Sequence, residues 1–240
     1  MHTQWKGFLV CALFVVGVLL ATLCAGIAVI GDMEALLFDA SLTPDAALTT
    51  LRCPILITAA ETATISAQVT NSTDRTVQFP VYAHISQGYV TWYREERFQL
   101  SLAPGERRKL EWTAGPNDAA WDRVIMVRVH ALRSGGLPYR AGGCGIMVVP
   151  VSFLSGGVIL GTLTAAALLC MGGGIALWAL GHRPLLRRPL AIVQMMAALA
   201  GILVAAILVG FLGLWLPGLL LLILAVLLGG IIIGFLLTWQ

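Results

Sequence analysis

The sequence predicts a membrane protein with four transmembrane helices and one all-β sandwich domain inserted between the first two helices. Hydrophobic residues make up 58% of the 240 positions and charged residues only 11%, whereas roughly a quarter of the residues in a soluble domain are charged. Three long apolar tracts account for this excess. The segment between the first two tracts instead has short runs of β-branched and aromatic residues separated by turn residues, which favours strands.

The first helix is predicted at residues 1–30, where "GFLVCALFVVGVLLATLCAGIAVI" is uninterrupted by charge. A hydrocarbon core of about 30 Å requires about 20 helical residues. A removed signal peptide is the alternative, but no convincing small-x-small cleavage site follows a short apolar region. We therefore expect this helix to be retained as a membrane span.

The second helix is predicted at residues 151–181, and the last apolar tract, from Leu190 to Gln240, contains no charged residue. As a single helix, that tract would be about 76 Å long, which is too long for one crossing. "GLWLPGLLL" places Trp215, Pro217 and Gly218 at its middle, and proline interrupts helices. Helices at 190–215 and 216–240 are predicted, since one long kinked helix would expose many leucines to water.

The basic residues predict the orientation in the membrane. All 12 acidic residues lie between Asp32 and Asp122, but four basic residues flank predicted helix ends without acidic neighbours: Lys6, Arg183, Arg187 and Arg188. The positive-inside rule places such residues in the cytoplasm. We therefore expect a multi-pass protein of the cytoplasmic membrane, with both termini and the loop 182–189 cytoplasmic and the β domain extracytoplasmic. These residues would anchor the topology beside anionic lipid headgroups; docking of a partner is the alternative.

The extracytoplasmic segment consists of a predicted connector at 31–52, partly helical with a break at Pro44, and a predicted β-sandwich at 53–150. In "ATISAQVTN" the apolar residues Ile65, Ala67 and Val69 alternate with polar ones, which is typical of a half-buried strand. Six or seven such strands in about 100 residues favour an antiparallel sandwich. The predicted strands are residues 53–58, 63–71, 76–86, 89–102, 107–114 and 122–133.

Two stretches of this segment, "AQVTNSTDRTVQF" and "FQLSLAPGERRKLEWTA", resemble the prokaryotic immunoglobulin-like modules of cell-surface proteins. In those modules one strand ends in V-x-N and a later L-x-P-G-E turn joins two strands. The resemblance covers residues 53–150 and implies that Asn71 and Gly105 are turn residues. It also implies binding or spacing rather than catalysis. The Cys…Trp…Cys core of antibody-type domains is absent.

The five cysteines differ in their surroundings. Cys11, Cys24 and Cys170 lie in apolar tracts, where cysteine behaves as a small hydrophobic residue. Cys53 and Cys144 are the two cysteines outside those tracts, and an extracytoplasmic compartment favours their pairing in a disulfide. Two cysteines without neighbouring ligands do not form a typical zinc site.

We find no sequence signal for catalysis, a metal or a cofactor. The apolar tracts contain no Asp, Glu, Lys or Arg. Such residues inside a membrane span are the usual mark of an ion pathway. Nucleophile-elbow and phosphate-loop motifs are also absent. His84 and His130 lie in predicted strands, where a hydrogen-bonded structural histidine is favoured over a ligand. We therefore predict that the chain is not an enzyme, and its basic clusters are too local for a nucleic-acid surface.

Two features could serve protein contacts. "WYREERF" offers Trp92, Tyr93, Arg94 and Arg97 as a possible interaction face, although such a run is more often a solvated strand edge. Small residues at four-residue spacing let helix backbones approach closely, and we predict helix packing at Gly17, Ala21, Ala25, Gly157, Gly161, Gly230 and Gly234. Packing among the chain's own helices is the favoured interpretation, and assembly with other subunits is the alternative.

The sequence therefore favours a non-enzymatic accessory or scaffold subunit of a larger membrane complex, with membrane lipids and other membrane subunits as partners. One alternative is an auxiliary subunit of a transport, electron-transfer or photosynthetic complex. Another is a ligand-sensing membrane protein, although a cytoplasmic signalling domain is not evident.

Overall fold

The computed structural model describes residues 2–39, 43–182 and 188–237, without the side chains of residues 2–8, 188 and 233–237. The chain divides into two compact units. Unit 1 comprises Met1–Val29 and Ile159–Gln240, and unit 2 comprises Ile30–Val158.

In the part of the chain that the structure describes, four helices are long and apolar enough to cross a membrane. They are α1 (His2–Leu37), α2 (Gly156–Gly181), α3 (Arg188–Phe211) and α4 (Trp215–Leu237). This agrees with the predicted number of helices. Two predicted anchors, Arg183 and Arg187, lie outside the described residues. Lys6 belongs to α1, Arg188 begins α3 and Gly234 belongs to α4, but their surroundings are not among the parts that the structure describes.

Within unit 1, small residues let α1 approach α2. A Cβ atom on Gly17 would lie 2.6 Å from the backbone nitrogen of Met171, and one on Gly174 would lie 2.8 Å from the Cβ of Phe14. Ala21 and Ala25 are fully buried. The stripe predicted on the first helix is therefore packed inside the chain.

Helices α3 and α4 form a hairpin, but its turn is not where the sequence analysis placed it. The turn is at Gly213, which has a φ of 75°, a conformation that glycine adopts without strain. The Gly213 and Leu214 amides donate to the carbonyls of Gly210 and Val209, which closes the end of α3. Pro217 lies in the first turn of α4, where its missing N–H costs no helical hydrogen bond.

The described residues of unit 2 form eight strands and one short 3-10 helix, Pro116–Asp118. The strands are β1 (Ala46–Ala47), β2 (Leu56–Thr58), β3 (Ala63–Thr70), β4 (Val77–Gln87), β5 (Tyr89–Leu102), β6 (Arg107–Ala114), β7 (Val124–Ala131) and β8 (Arg140–Val149).

These strands form two sheets. The larger has the order β1-β8-β7-β4-β5, with β2 also paired to β8, and the smaller joins β3 to β6. The long neighbours pair antiparallel, as predicted, but β1 and β2 both run parallel to β8. The larger sheet is therefore mixed, because the two short strands β1 and β2 pair with β8 in the same direction.

The two sheets share one hydrophobic core. Ile65, Ala67 and Val69 of β3 are buried in it together with Trp112 of β6 and alternate residues of β4, which confirms the predicted inward set of β3. All eight residues of β7 are buried. A strand covered on both faces does not alternate between apolar and polar residues, and this explains the irregular apolar pattern of β7.

The end of α1 covers the outer face of β7 and β8. Glycines on β8 permit this approach: a Cβ atom on Gly145 would overlap the carbonyl oxygen of Gly31, and one on Gly143 would lie 3.1 Å from the Ala35 carbonyl oxygen. Phe38 is buried there with Met126. The expectation of an all-β domain is therefore wrong in this respect, since residues predicted as a connector continue α1 to Leu37.

Cys53 and Cys144 form the predicted disulfide, with Cα atoms 6.4 Å apart. Cys144 lies in the core face of β8, and Cys53 precedes β2, which pairs with β8. The bond thus fixes the first residues of the domain to its last strand.

The first residues of α2, up to Val158, belong to unit 2. The Glu61 carboxylate accepts hydrogen bonds from the amides of Gly156 and Thr58, both at 2.8 Å. These hydrogen bonds, of which the one from Gly156 has the largest effect, hold the pKa of Glu61 below its ordinary value. Because a carboxylate stabilises a helix N-terminus, α2 begins at Gly156 rather than at residue 151.

Candidate functional site

Three polar residues from distant parts of the sequence meet on the outer face of the larger sheet: Asp39, His84 and His130. Neighbouring antiparallel strands supply the histidines. Tyr82 of β4 is opposite His130 of β7, so His84, two residues further along β4, lies on the same face. The two imidazole centroids are 5.1 Å apart. We call these three residues the Asp-His-His cluster.

Asp39 completes the cluster from the end of α1. Its φ of 47° is in the left-handed region, which is uncommon for residues other than glycine, although aspartate tolerates it better than most. Its Oδ2 atom lies 2.6 Å from His84 Nδ1 and 3.0 Å from His130 Nε2. One carboxylate oxygen therefore bonds both histidines.

The other ring nitrogens of the two histidines have partners as well. The Tyr139 hydroxyl lies 2.7 Å from His130 Nδ1, and Glu95 Oε2 lies 3.2 Å from His84 Nε2. Tyr93 stacks on His84 with ring centroids 4.3 Å apart. The side chains of His130, His84 and Asp39 are 5%, 13% and 17% exposed, so the cluster is largely shielded, with His84 and Asp39 partly accessible.

One further charge is close to the cluster. Arg128 is opposite His84 in the register of β4 and β7. Its Nη1 donates a hydrogen bond of 2.8 Å to the Leu36 carbonyl oxygen. A cation is favourable at the C-terminus of a helix, so Arg128 holds the end of α1 on the sheet.

The surroundings favour an ionised Asp39 beside a neutral His130. Burial raises the pKa of Asp39. The hydrogen bonds and charges of His84 and His130 lower it by more, so the pKa of Asp39 is below its ordinary value. Burial, followed by the charge of His84, lowers the pKa of His130. Burial raises the pKa of Tyr139. A neutral His130 can donate from Nε2 to Asp39 and accept from the Tyr139 hydroxyl at Nδ1.

Acidification is expected to destabilise unit 2. Because the pKa of His130 is lower in the folded protein than in the unfolded chain, unfolding takes up a proton once the pH falls below about 6.5. The contribution of His130 to the free energy of unfolding is thus fully present above that pH. Below it the free energy of unfolding falls, by at most about 1.4 kcal/mol per pH unit for one proton. The lowered pKa of Asp39 acts in the same direction at still lower pH. Hydrogen–deuterium exchange of β4 and β7 in the detergent-solubilised protein at pH 7.5, 6 and 5 measures this effect. A His130→Gln variant with the same pH dependence would contradict the assignment to His130.

The predicted interaction face on β5 is not one surface. Tyr93 and Arg97 project from the outer face, where Tyr93 stacks on His84 and Arg97 lies over Tyr82. Arg94 projects toward the smaller sheet and pairs with Asp118 at 3.2 Å. Trp92 is 64% exposed and meets Tyr89 edge to face.

A different aromatic group forms around Trp92. The Trp121 amide donates to the carbonyl of Gly88 in the β4–β5 turn, which brings Trp121 to the hairpin that carries Tyr89 and Trp92. Trp121 and Asp122 have φ values of 51° and 57°, a strained conformation for side chains of this size. Tyr89, Trp92 and Trp121 are all more than half exposed; we call them the exposed aromatic group.

The glycines predicted for helix packing also divide into two sets. Gly17 is in close contact within the chain, whereas a Cβ atom on Gly157, Gly161 or Gly230 would meet nothing within 4 Å among the residues that the structure describes. The GxxxG pair on α2 is therefore open.

The sequence analysis did not find the Asp-His-His cluster. It treated His84 and His130 as separate structural histidines and placed Asp39 in a connector. Both histidines occupy polar positions of their strands, which was a usable signal. The adjacency of β4 and β7 is a long-range feature, and the continuation of α1 to Leu37 was not predicted.

Fold and site together define a protein with four helices able to span a membrane and a disulfide-bonded two-sheet domain that carries a shielded Asp-His-His cluster. No family model matches the chain, and no curated protein matches it. Among solved structures it is similar to the CARDB domain of the PF1109 protein from Pyrococcus furiosus, which was crystallised in complex with di-metal ions. That likeness has 14% identity and a TM-score of 0.32, and covers 41% of this chain and 89% of the other. A TM-score of this size does not establish a shared fold, so nothing about this chain is inferred from it.

Proposed function

We propose that the chain is a non-enzymatic accessory or scaffold subunit of a larger membrane complex. Its four helices span the cytoplasmic membrane, with both termini cytoplasmic. An immunoglobulin-like β domain lies on the extracytoplasmic side, where it contacts other subunits. The apolar helices, the basic residues at their predicted ends and the disulfide support this arrangement, since structural disulfides persist in oxidising compartments.

The open glycines of α2 carry the proposal of assembly. Small residues at GxxxG spacing allow a second helix to approach the backbone closely. On α1 this capacity is already used, because Gly17 abuts Met171. Gly157 and Gly161 have equivalent spacing but meet no side chain of the described parts of this chain. A helix of another subunit fits that face.

The exposed aromatic group is the corresponding contact surface of the β domain. Tyrosine and tryptophan are enriched in protein interfaces. Tyr89 and Trp92 meet edge to face, and the Trp121 amide bonds the carbonyl of Gly88 in the turn that precedes them. Trp121 has a positive φ and an indole that is more than half exposed, and strained backbone is concentrated at functional sites.

Replacing Gly161 with leucine is expected to release a co-purifying membrane subunit. The larger side chain prevents close approach of a partner helix while leaving the chain's own packing unchanged. Native mass spectrometry in mild detergent compares the wild type with Gly161→Leu and with Gly201→Leu, a matched control on α3 that is equally open. A wild-type particle of one chain only, or equal loss of the partner in both variants, would contradict the proposal.

A ligand-sensing membrane protein is a second candidate, and the Asp-His-His cluster favours it. The cluster connects the residue after α1 to two central strands. Binding there would change the attachment of α1 to the β domain.

A further inference from the structure

We propose that Asp39, His84 and His130 form a mononuclear site for a divalent transition metal of the zinc type. This proposal does not depend on assembly into a complex. It rests on the geometry of the cluster, the chemistry of its donor atoms and the partners of the two imidazoles.

The donor atoms are close enough for a single ion. Each residue offers one ligand atom, and the three atoms lie within 4.8 Å of one another. In a tetrahedral zinc site with bonds of about 2.0–2.1 Å, neighbouring ligand atoms are about 3.3 Å apart. The carboxylate oxygen of Asp39 is 2.6 and 3.0 Å from the two imidazole nitrogens. Insertion of an ion therefore needs the first pair to separate by about 0.7 Å and the second by about 0.3 Å.

The donor set selects the kind of metal. Two imidazoles and one carboxylate suit Zn²⁺, Co²⁺, Ni²⁺, Cu²⁺ or Fe²⁺, whereas Mg²⁺ and Ca²⁺ require more oxygen ligands. Three protein ligands leave a fourth position for water or for a small anionic ligand.

The outer partners of the histidines are those that a metal site requires. A ligating histidine usually donates its second N–H to a carboxylate or another acceptor, which fixes the orientation of the ring. Glu95 provides this acceptor for His84 and the Tyr139 hydroxyl provides it for His130. With metal bound at Nδ1 of His84 and Nε2 of His130, both opposite nitrogens carry a hydrogen, and each finds an acceptor.

The surrounding charges are compatible with a bound cation. The carboxylates of Asp39 and Glu95 balance the two charges of the metal, and the cation of Arg128 is directed to the carbonyl of Leu36.

Metal binding to the full-length protein in detergent tests the proposal. The protein, purified by a tag without histidine, is treated with a chelator and then titrated with Co²⁺ by visible absorption and with Zn²⁺ by calorimetry. We expect about one equivalent of each metal, and visible Co²⁺ bands typical of four-coordinate geometry.

Variants identify the ligands. Asp39→Asn and His84→Ala are expected to abolish stoichiometric binding, and Glu95→Gln to weaken it about 10–100-fold. His182→Ala removes an exposed histidine outside the cluster and is expected to bind like the wild type. Hydrogen exchange of β3 and β6, away from the cluster, verifies that each variant is folded. Absence of stoichiometric binding by the wild type, or unchanged binding by Asp39→Asn and His84→Ala, would overturn the proposal.

Discussion

Replacement of both Cys53 and Cys144 by alanine is expected to lower the free energy of unfolding of unit 2 by about 4–5 kcal/mol. The bond joins residues separated by 91 positions, and a cross-link that closes so long a loop removes much conformational entropy from the unfolded chain. The folded state also needs the bond, because β2 has only three residues and pairs with β8 alone.

Hydrogen–deuterium exchange of the strand peptides in detergent measures this loss as faster exchange throughout β2, β7 and β8, because protected core amides report the free energy of opening. Cys170→Ala is the matched control, since Cys170 is a free cysteine in α2 of unit 1. Unchanged protection in the double variant would mean that the disulfide does not support the domain.

The second large effect is expected from Gly145→Ala. The added methyl group would overlap the backbone of Gly31, and neither α1 nor the central strand β8 can move without losing contacts. Overpacking of this kind costs about 1–3 kcal/mol, and more where backbone must shift. The end of α1 should separate from the sheet, so Phe38 becomes exposed and Asp39 moves away from the histidines.

Gly115→Ala is the matched control, because Gly115 has a φ of −117° and a Cβ atom there would meet nothing within 4 Å. A change within about 0.5 kcal/mol is expected for this variant. Hydrogen exchange of residues 31–38 compares the two. Equal protection of this segment in both variants would contradict the close packing of α1 on β8.

The elements that depend on local sequence were predictable. Apolar tracts indicate helices long enough to span a membrane, and alternation in β3 indicates which face is buried. The pairing of Cys53 with Cys144 was predicted from their position outside the apolar tracts. These features rest on length, periodicity and composition, which a single sequence displays directly.

The features that were not predicted correctly depend on packing between distant segments of the chain. The glycines of "AGGCGI" were given no role in the sequence analysis, but Gly143 and Gly145 form the surface on which the end of α1 lies. Pro217 looked like the turn between two helices, whereas Gly213 makes the turn and Pro217 follows in the next helix. The Asp-His-His cluster depends on the order of strands in the sheet, which local patterns do not encode.

Labelling of engineered cysteines in intact cells tests most directly whether the β domain is outside and the arginine loop inside. Two variants are made after Cys11, Cys24 and Cys170 are replaced by alanine: Ser101→Cys on β5 and His182→Cys at the end of α2, both at exposed positions. The account predicts that a membrane-impermeant maleimide labels the Ser101→Cys variant in intact cells and the His182→Cys variant only after permeabilisation. The reverse pattern would contradict it.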